Sequence, residues 1–161
     1  TVYLITKDNH EYALKYFTDH SDYYIKNYKN ECRSLQILNH VGIIKILSYG
    51  FFENHPYIIL PYVEQGDLRK RAEISYKWTM QERIEDALNI FKKSIEVLMY
   101  IHQQGLIHRD VKPANILLSS SNDPIIIDFG TTTQKNTKED LFIGTPSYAS
   151  PEQIRGEQKS K

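Results

Sequence analysis

His108-Arg109-Asp110-Val111-Lys112-Pro113-Ala114-Asn115 packs five ionisable or amide side chains into eight residues, between an apolar helical pattern and an apolar strand pattern. A fold that buries both flanks must hold this segment as an ordered loop, because polar groups so near a core need partners or a function. Upstream, Thr79-Met80-Gln81-Glu82 has the T-x-x-E form of a capping box. Ile84, Leu88, Phe91, Ile95, Leu98 and His102 follow at helical spacing until Gly105. The pattern predicts a long buried helix with His102 as a satisfied core histidine. Downstream, Ile116 to Leu118 and Pro124 to Ile127 flank the turn-rich Ser119-Ser120-Ser121-Asn122-Asp123, which predicts a hairpin. Asn115 precedes its first strand and Asp128 follows its second, so the open end brings two oxygen donors together. A carboxylate and an amide oxygen with room for phosphate and water suit Mg²⁺. Asp110 is then a natural general base for a hydroxyl, and Lys112 a positive charge for a transferring phosphoryl group.

The first half of the chain reads as strands with one helix. Val2 to Ile5 and Glu11 to Phe17 flank Lys7-Asp8-Asn9-His10 and predict a hairpin. From Ser21, an N-cap, to Asn39 the residues Tyr24, Tyr28, Leu35 and Leu38 share one helical face. Glu31 falls in the middle of that stripe, where a carboxylate is costly unless a cation meets it. Residues 43–52 and 57–63 predict a second hairpin around Asn54-His55-Pro56, and residues 130–161 read as loop. Two subdomains result, 1–62 rich in strands and 63–161 rich in helix, joined through Pro61-Tyr62-Val63-Glu64-Gln65-Gly66.

His108 to Asn115, followed by Asp128-Phe129-Gly130, resembles the catalytic and metal-binding loops of eukaryotic-type (Hanks-type) serine/threonine protein kinases. The five fixed letters of H-R-D-x-K-x-x-N, at roughly one in 20 each, make a chance match far less frequent than about one in a thousand. Tyr12-Ala13-Leu14-Lys15 is similar to the family's phosphate-binding strand, and Glu31 sits where the family's helical glutamate pairs with that lysine. Gly144-Thr145-Pro146-Ser147-Tyr148-Ala149-Ser150-Pro151-Glu152 resembles the end of the activation segment, with Ser150 in place of the usual alanine and little effect expected from the change. The resemblance implies an α+β, two-lobed protein-kinase-like fold, an antiparallel sheet plus one helix and then a mainly helical lobe. It also implies an ATP- and Mg²⁺-dependent protein serine/threonine kinase. By position it implies Asp110 as catalytic base, Lys112 near the γ-phosphate, Lys15 paired with Glu31, and Asn115 and Asp128 on the metal. Val2, Ala13, Leu60, Tyr62 and Leu117 would line the nucleotide, with Leu60 guarding the adenine pocket and Asp67 able to reach the ribose. Leu35, Ile46, His108 and Phe129 fall where the family stacks side chains across its lobes. Lys112 and the Gly144 to Tyr148 stretch resemble serine/threonine rather than tyrosine kinases.

Composition narrows the partners. Twenty Lys and Arg balance 20 Asp and Glu, which argues against a general nucleic-acid binder; the resemblance implies protein serine and threonine hydroxyls as substrates. One cysteine, Cys32, allows no internal disulfide, and no apolar run reaches the 18 or so residues of a membrane span, so a cytoplasmic location is expected. The sequence starts at Thr1 inside a strand-like run and stops at Lys161 without a closing element. On the resemblance, the glycine-rich loop and the later helices lie outside it, and the fold is expected to be truncated at both ends and the isolated 161 residues weakly active or inactive.

Plainer readings stand beside these. Lys15 and Glu31 can be a structural ion pair, Asp67 can simply cap a helix that starts at Leu68, and Cys32 can be an inert buried thiol. Thr131, Thr132, Thr133 and Thr137 can be ordinary loop residues or phosphoacceptors recognised by Arg109, with Glu139 and Asp140 as unmodified alternatives. A kinase-like binding module without catalysis is the alternative function. Decay of Lys15, Asp110, Asn115 or Asp128 would favour it, and none has decayed.

Overall fold

Left-handed turn residues set the register of the first sheet. Asp8 and Asn9, at φ 51° and 59°, join β1 (Val2–Lys7) to β2 (His10–Tyr16) in the two-residue geometry that Asp and Asn tolerate. The structure, a computed structural model, describes residues 1–19, 21–135 and 143–155. β3 (Ser48–Phe52) and β4 (His55–Pro61) form the second hairpin, and the sheet order is β1-β2-β4-β3. Its turn is Glu53-Asn54, at φ 49° and 66°, rather than the expected Asn54-His55-Pro56. Proline cannot take positive φ, so the turn falls before it and His55 and Pro56 join β4. Residues 43–47 are also not strand. Ile43 bridges Ile126, Ile44 donates to the Ile126 carbonyl and Leu47 to that of Ile59, so this segment ties the sheet to the second half of the chain.

α1 (Asp22–Ile37) follows the predicted stripe from its second turn onward: Tyr28, Glu31, Leu35 and Leu38 are buried. Tyr24 is exposed, because the helix meets the sheet only from Tyr28, whose ring is edge-on to Phe17 at 5.6 Å and to Phe51 at 5.6 Å. Ser21 occupies the N-cap position but its side chain makes no cap hydrogen bond.

Beyond α2 (Leu68–Ile74), α3 (Met80–Gln103) starts with the predicted capping box, both halves formed between Thr79 and Glu82. Its buried face is Ile90, Ser94, Val97 and Ile101, at helical spacing of 4, 3 and 4. The expected face is wrong: Ile84, Leu88, Phe91, Ile95 and His102 are exposed. Apolar residues occupy more than one side of α3, so periodicity alone could not choose. The choice is made by the strands it packs on, β5 (Leu106–Ile107) and β7 (Pro124–Ile126).

β6 (Ile116–Leu118) pairs antiparallel with β7 as expected. The stretch read as loop holds further elements: a 3-10 turn over 129–131, β8 (Thr133–Gln134) pairing β5, a 3-10 turn over 146–148, and α4 (Pro151–Ile154). Ser150 caps α4 in a reciprocal box with Gln153, which gives the serine at this position a local structural use. The architecture is an antiparallel sheet with one helix followed by a mainly helical portion. One apolar core runs from Phe17, Leu35 and Ile58 to Ile101, Ile126 and Phe129. Among the described residues no helix is long and apolar enough to cross a membrane.

Candidate active site

The 108–115 loop is organised around a buried imidazole. His108 packs edge-on against Phe129 at 4.9 Å, and burial holds its pKa below the ordinary value, so the ring is neutral at pH 7. Its Nε2 donates to the Ile127 carbonyl at 2.9 Å, which leaves Nδ1 to accept the Asp110 N–H at 3.3 Å. Arg109 between them is left-handed, at φ 70°, and turns the chain so that Asp110 leaves the core. Gly144 closes on this bend. A Cβ there would sit 2.8 Å from the Arg109 carbonyl oxygen, and its φ of 133° already favours glycine.

Asp110 carries the densest hydrogen bonding in the site. Oδ2 accepts from Lys112 Nζ at 2.7 Å and from Asn115 Nδ2 at 3.0 Å, and Oδ1 accepts from the Thr145 hydroxyl at 2.7 Å. Lys112 Nζ also donates to Thr145 Oγ1 at 2.7 Å. Burial acts to raise the Asp110 pKa, but the hydrogen bonds from Lys112 and Thr145 outweigh it and hold the carboxyl below the usual range. The group is an anion at neutral pH with its orientation fixed from both sides. No local signal in the sequence gives Thr145 a role, because its place between Asp110 and Lys112 depends on a fold that brings residues 35 apart in sequence together. Thr145→Val removes one donor and one acceptor. In the full-length protein it is expected to lower the rate of Asp110-dependent chemistry about tenfold while Thr145→Ser stays near wild type, measured as kcat. A wild-type rate for Thr145→Val would exclude the Thr145 hydroxyl from a role in that chemistry.

The second cluster answers the carboxylate stranded in α1. Glu31 is 1 % exposed, and its Oε2 accepts from Lys15 Nζ at 2.6 Å, while the same Nζ donates to Asp128 Oδ1 at 2.8 Å. Burial acts to lower Lys15, but the charges of Glu31 and Asp128 overcome it and its pKa is raised. Burial pushes the Glu31 carboxyl up, with Lys15 opposing. At 2.6 Å we read the pair as ionised at neutral pH. For Asp128, burial acts upward and Lys15 brings the carboxyl below its ordinary value. Asp128 is left-handed, at φ 65°, at the start of the 129–131 turn, and Phe129 behind it is fully buried.

Both clusters face one cleft of about 470 Å³, lined among others by Val2, Lys15, Glu31, Asp110, Lys112, Asp128 and Thr145. Asn115 is buried beside it: Nδ2 donates to the Asp110 carbonyl at 2.9 Å as well as to Oδ2, and its own carbonyl accepts from Ile127 to close the hairpin. The Asp128 carboxylate and the Asn115 amide oxygen are hard donors suited to Mg²⁺. Among the described residues no three His, Cys, Asp or Glu side chains form a protein cage, and Mg²⁺ usually shares its shell with phosphate and water. Two lysines in the same cleft fit a phosphate chain.

Other predicted residues lie apart from that cleft. Ala13 pairs with Leu60 across β2 and β4, at one end of the connection between the two halves, and at its other end Leu117 bridges Asp67, with Leu118 donating to the Gly66 carbonyl at 3.0 Å. Tyr62 is exposed there. Asp67 caps α2, accepting from the Arg69 and Lys70 amides and from the Arg69 guanidinium at 2.6 Å, which is the plainer of its two expected roles. Leu35, His108 and Phe129 are buried, with Ile46 packed against the same core. Cys32 is a buried free thiol, and burial pushes its pKa up to about 11. The threonines are turned inward: Thr131 donates to the His108 carbonyl at 2.9 Å, and Thr132 and Thr133 are buried. In this arrangement the Thr131 hydroxyl is engaged at the cleft and those of Thr132 and Thr133 are buried. Thr137, Glu139 and Asp140 lie outside the described residues.

A profile of the protein kinase domain family matches residues 1–161. Over 139 residues the chain is 34% identical to the serine/threonine-protein kinase PknB of Mycobacterium leprae, an alignment covering 81% of this chain and 22% of that protein. It is 32% identical over 141 residues to a probable serine/threonine-protein kinase of Streptomyces coelicolor, with 81% and 20% covered. It is 37% identical over 123 residues to a probable serine/threonine-protein kinase of Dictyostelium discoideum, with 74% and 19% covered. The chain spans about a fifth of the length of these relatives.

Proposed function

The chain belongs to the protein kinase domain family, and on that premise we propose that its protein transfers the γ-phosphoryl group of ATP to serine and threonine hydroxyls of protein substrates. The observation that carries this reading is the fixed Asp110 carboxylate, bonded to Lys112 and Thr145 in the same cleft as Lys15, Glu31 and Asp128. Asp110 accepts the hydrogen bond of the acceptor hydroxyl, aligns its oxygen with the phosphorus and takes its proton as the new P–O bond forms and the bond from the γ-phosphorus to the bridging oxygen breaks, releasing ADP. Lys112, two residues on, stabilises the equatorial oxygens of the phosphoryl group in transfer. Lys15, held by Glu31, reaches the α and β phosphates.

Asp128 and the Asn115 amide oxygen would hold Mg²⁺, which when bound neutralises charge on the phosphate oxygens. Val2, Ala13, Leu60, Tyr62 and Leu117 take the nucleotide base, with residues 1–62 and 63–161 as the two lobes of the site. Asp67 caps α2 through Oδ1, which leaves Oδ2, bonded to the Arg69 guanidinium, to reach the ribose. A single buried thiol, Cys32, supports a reducing compartment such as the cytoplasm for this domain.

The test is phosphotransfer from γ-labelled ATP with Mg²⁺ by the full-length protein onto a generic protein acceptor. Label is expected on serine and threonine after acid hydrolysis. No transfer, or label on tyrosine alone, overturns the reading.

A further inference from the structure

Two neighbouring residues of α1 hold the same turn at two points. Glu31 acts through Lys15, whose Nζ reaches Asp128 Oδ1 at 2.8 Å. Asn30 acts directly: its Nδ2 donates to the Gly130 carbonyl at 3.3 Å, across 100 residues of sequence. The helix also lies close on that turn. A Cβ on Gly130 would meet Asn27 Cβ at 3.2 Å and the Asn27 carbonyl oxygen at 3.5 Å, so the glycine is needed for the approach of α1 rather than for an unusual φ. Asp128 is held at positive φ at the head of the turn, so the direction of its carboxylate depends on where the 129–131 peptides are fixed. On the far side, Thr131 donates to the His108 carbonyl at 2.9 Å and Phe129 is fully buried. When Lys15 turns toward a phosphate chain its bond to Asp128 loosens, and the amide of Asn30 still links α1 to the turn.

We propose that Asn30 is a positioning residue for the metal-binding carboxylate: by holding the Gly130 carbonyl it aims Asp128 into the cleft while Lys15 is occupied elsewhere. This rests on the kinase reading above. Asn30→Ala removes the donor, and Asn30→Asp keeps the shape but sets an anion against the carbonyl.

The direct readout is Mn²⁺ binding by the full-length protein with a non-hydrolysable ATP analogue, followed by electron paramagnetic resonance. Both variants are expected to bind Mn²⁺ about fivefold more weakly, the cost of one hydrogen bond, with the larger loss for Asn30→Asp. The Mg²⁺ concentration for half-maximal rate rises by a similar factor, saturating Mg²⁺ restores the rate, and the KM for ATP at saturating metal moves less than about twofold. Unchanged Mn²⁺ affinity in both variants overturns the assignment, as does a lowered rate that saturating metal leaves lowered. If the wild type binds Mn²⁺ with nucleotide but transfers no phosphoryl group, the kinase reading fails, and the Mn²⁺ comparison still decides the role of Asn30.

Discussion

Asp110→Asn in the full-length protein is expected to keep the fold and lower phosphotransfer by a factor of about 10²–10⁴. The substituted amide has one acceptor oxygen and one donor nitrogen where the carboxylate has two acceptors. Lys112 Nζ and Asn115 Nδ2 both donate to Oδ2, so the amide oxygen must take that side. Its nitrogen then faces the Thr145 hydroxyl, which can rotate to accept. The network survives with small adjustment, so circular dichroism and the thermal midpoint should stay close to wild type. What is lost is the atom that takes the proton in the proposed reaction. In the wild type the Asp110 pKa lies below its ordinary 3.8, because the bonds from Lys112 and Thr145 overcome burial. Its protonation therefore cannot limit the rate at pH 5, and an acid limb seen there must belong to another group. Equal activity of wild type and Asp110→Asn would remove Asp110 from the base role.

What the sequence made legible was whatever depends on local chemistry. The Asp8-Asn9 turn, the Thr79–Glu82 box and the β6–β7 hairpin each follow from residues within a few positions of one another. Glu31 was legible for a different reason: a carboxylate in an apolar stripe is costly, and the cost alone called for a cation, which the fold supplies as Lys15. The buried face of α3 was not legible. Ile84, Leu88, Phe91 and Ile95 keep helical spacing as well as Ile90, Val97 and Ile101 do, and only the strands packed on the helix decide between them. Thr145 and Asn30 were missed because each acts through a partner far along the chain, on Asp110 and on Gly130. No spacing rule reaches that distance. The three threonines after Gly130 stay open between loop residues and phosphoacceptors on sequence alone, because the turn and β8 that engage Thr131 and bury Thr132 and Thr133 are set by partners far along the chain.

Lys15→Met tests the other half of the site, because it separates the structural reading of the ion pair from the catalytic one. Removing the cation leaves Glu31, 1 % exposed, without its only charge partner among the described residues, and breaking a buried pair in this way costs about 3–5 kcal/mol. The pH dependence should follow from the sign of the Glu31 shift. Burial raises its folded-state pKa above the ordinary 4.5, and with Lys15 gone nothing at that oxygen opposes the rise. Between the two values the native state binds a proton that the unfolded state has released, so stability falls as pH rises through this window. The variant should be closer to wild type in urea denaturation at pH 5 than at pH 8. In the wild type the stabilising share of Lys15 is fully present below its ordinary 10.5 and is lost as pH rises through its raised folded value. The double variant Lys15→Met with Glu31→Gln removes the buried charge and should recover most of the stability at pH 8. It should not recover phosphotransfer, which stays lower by about 10²–10³ because no ammonium reaches the phosphates. Recovery of both together would make Lys15 a structural partner of Glu31 and nothing more.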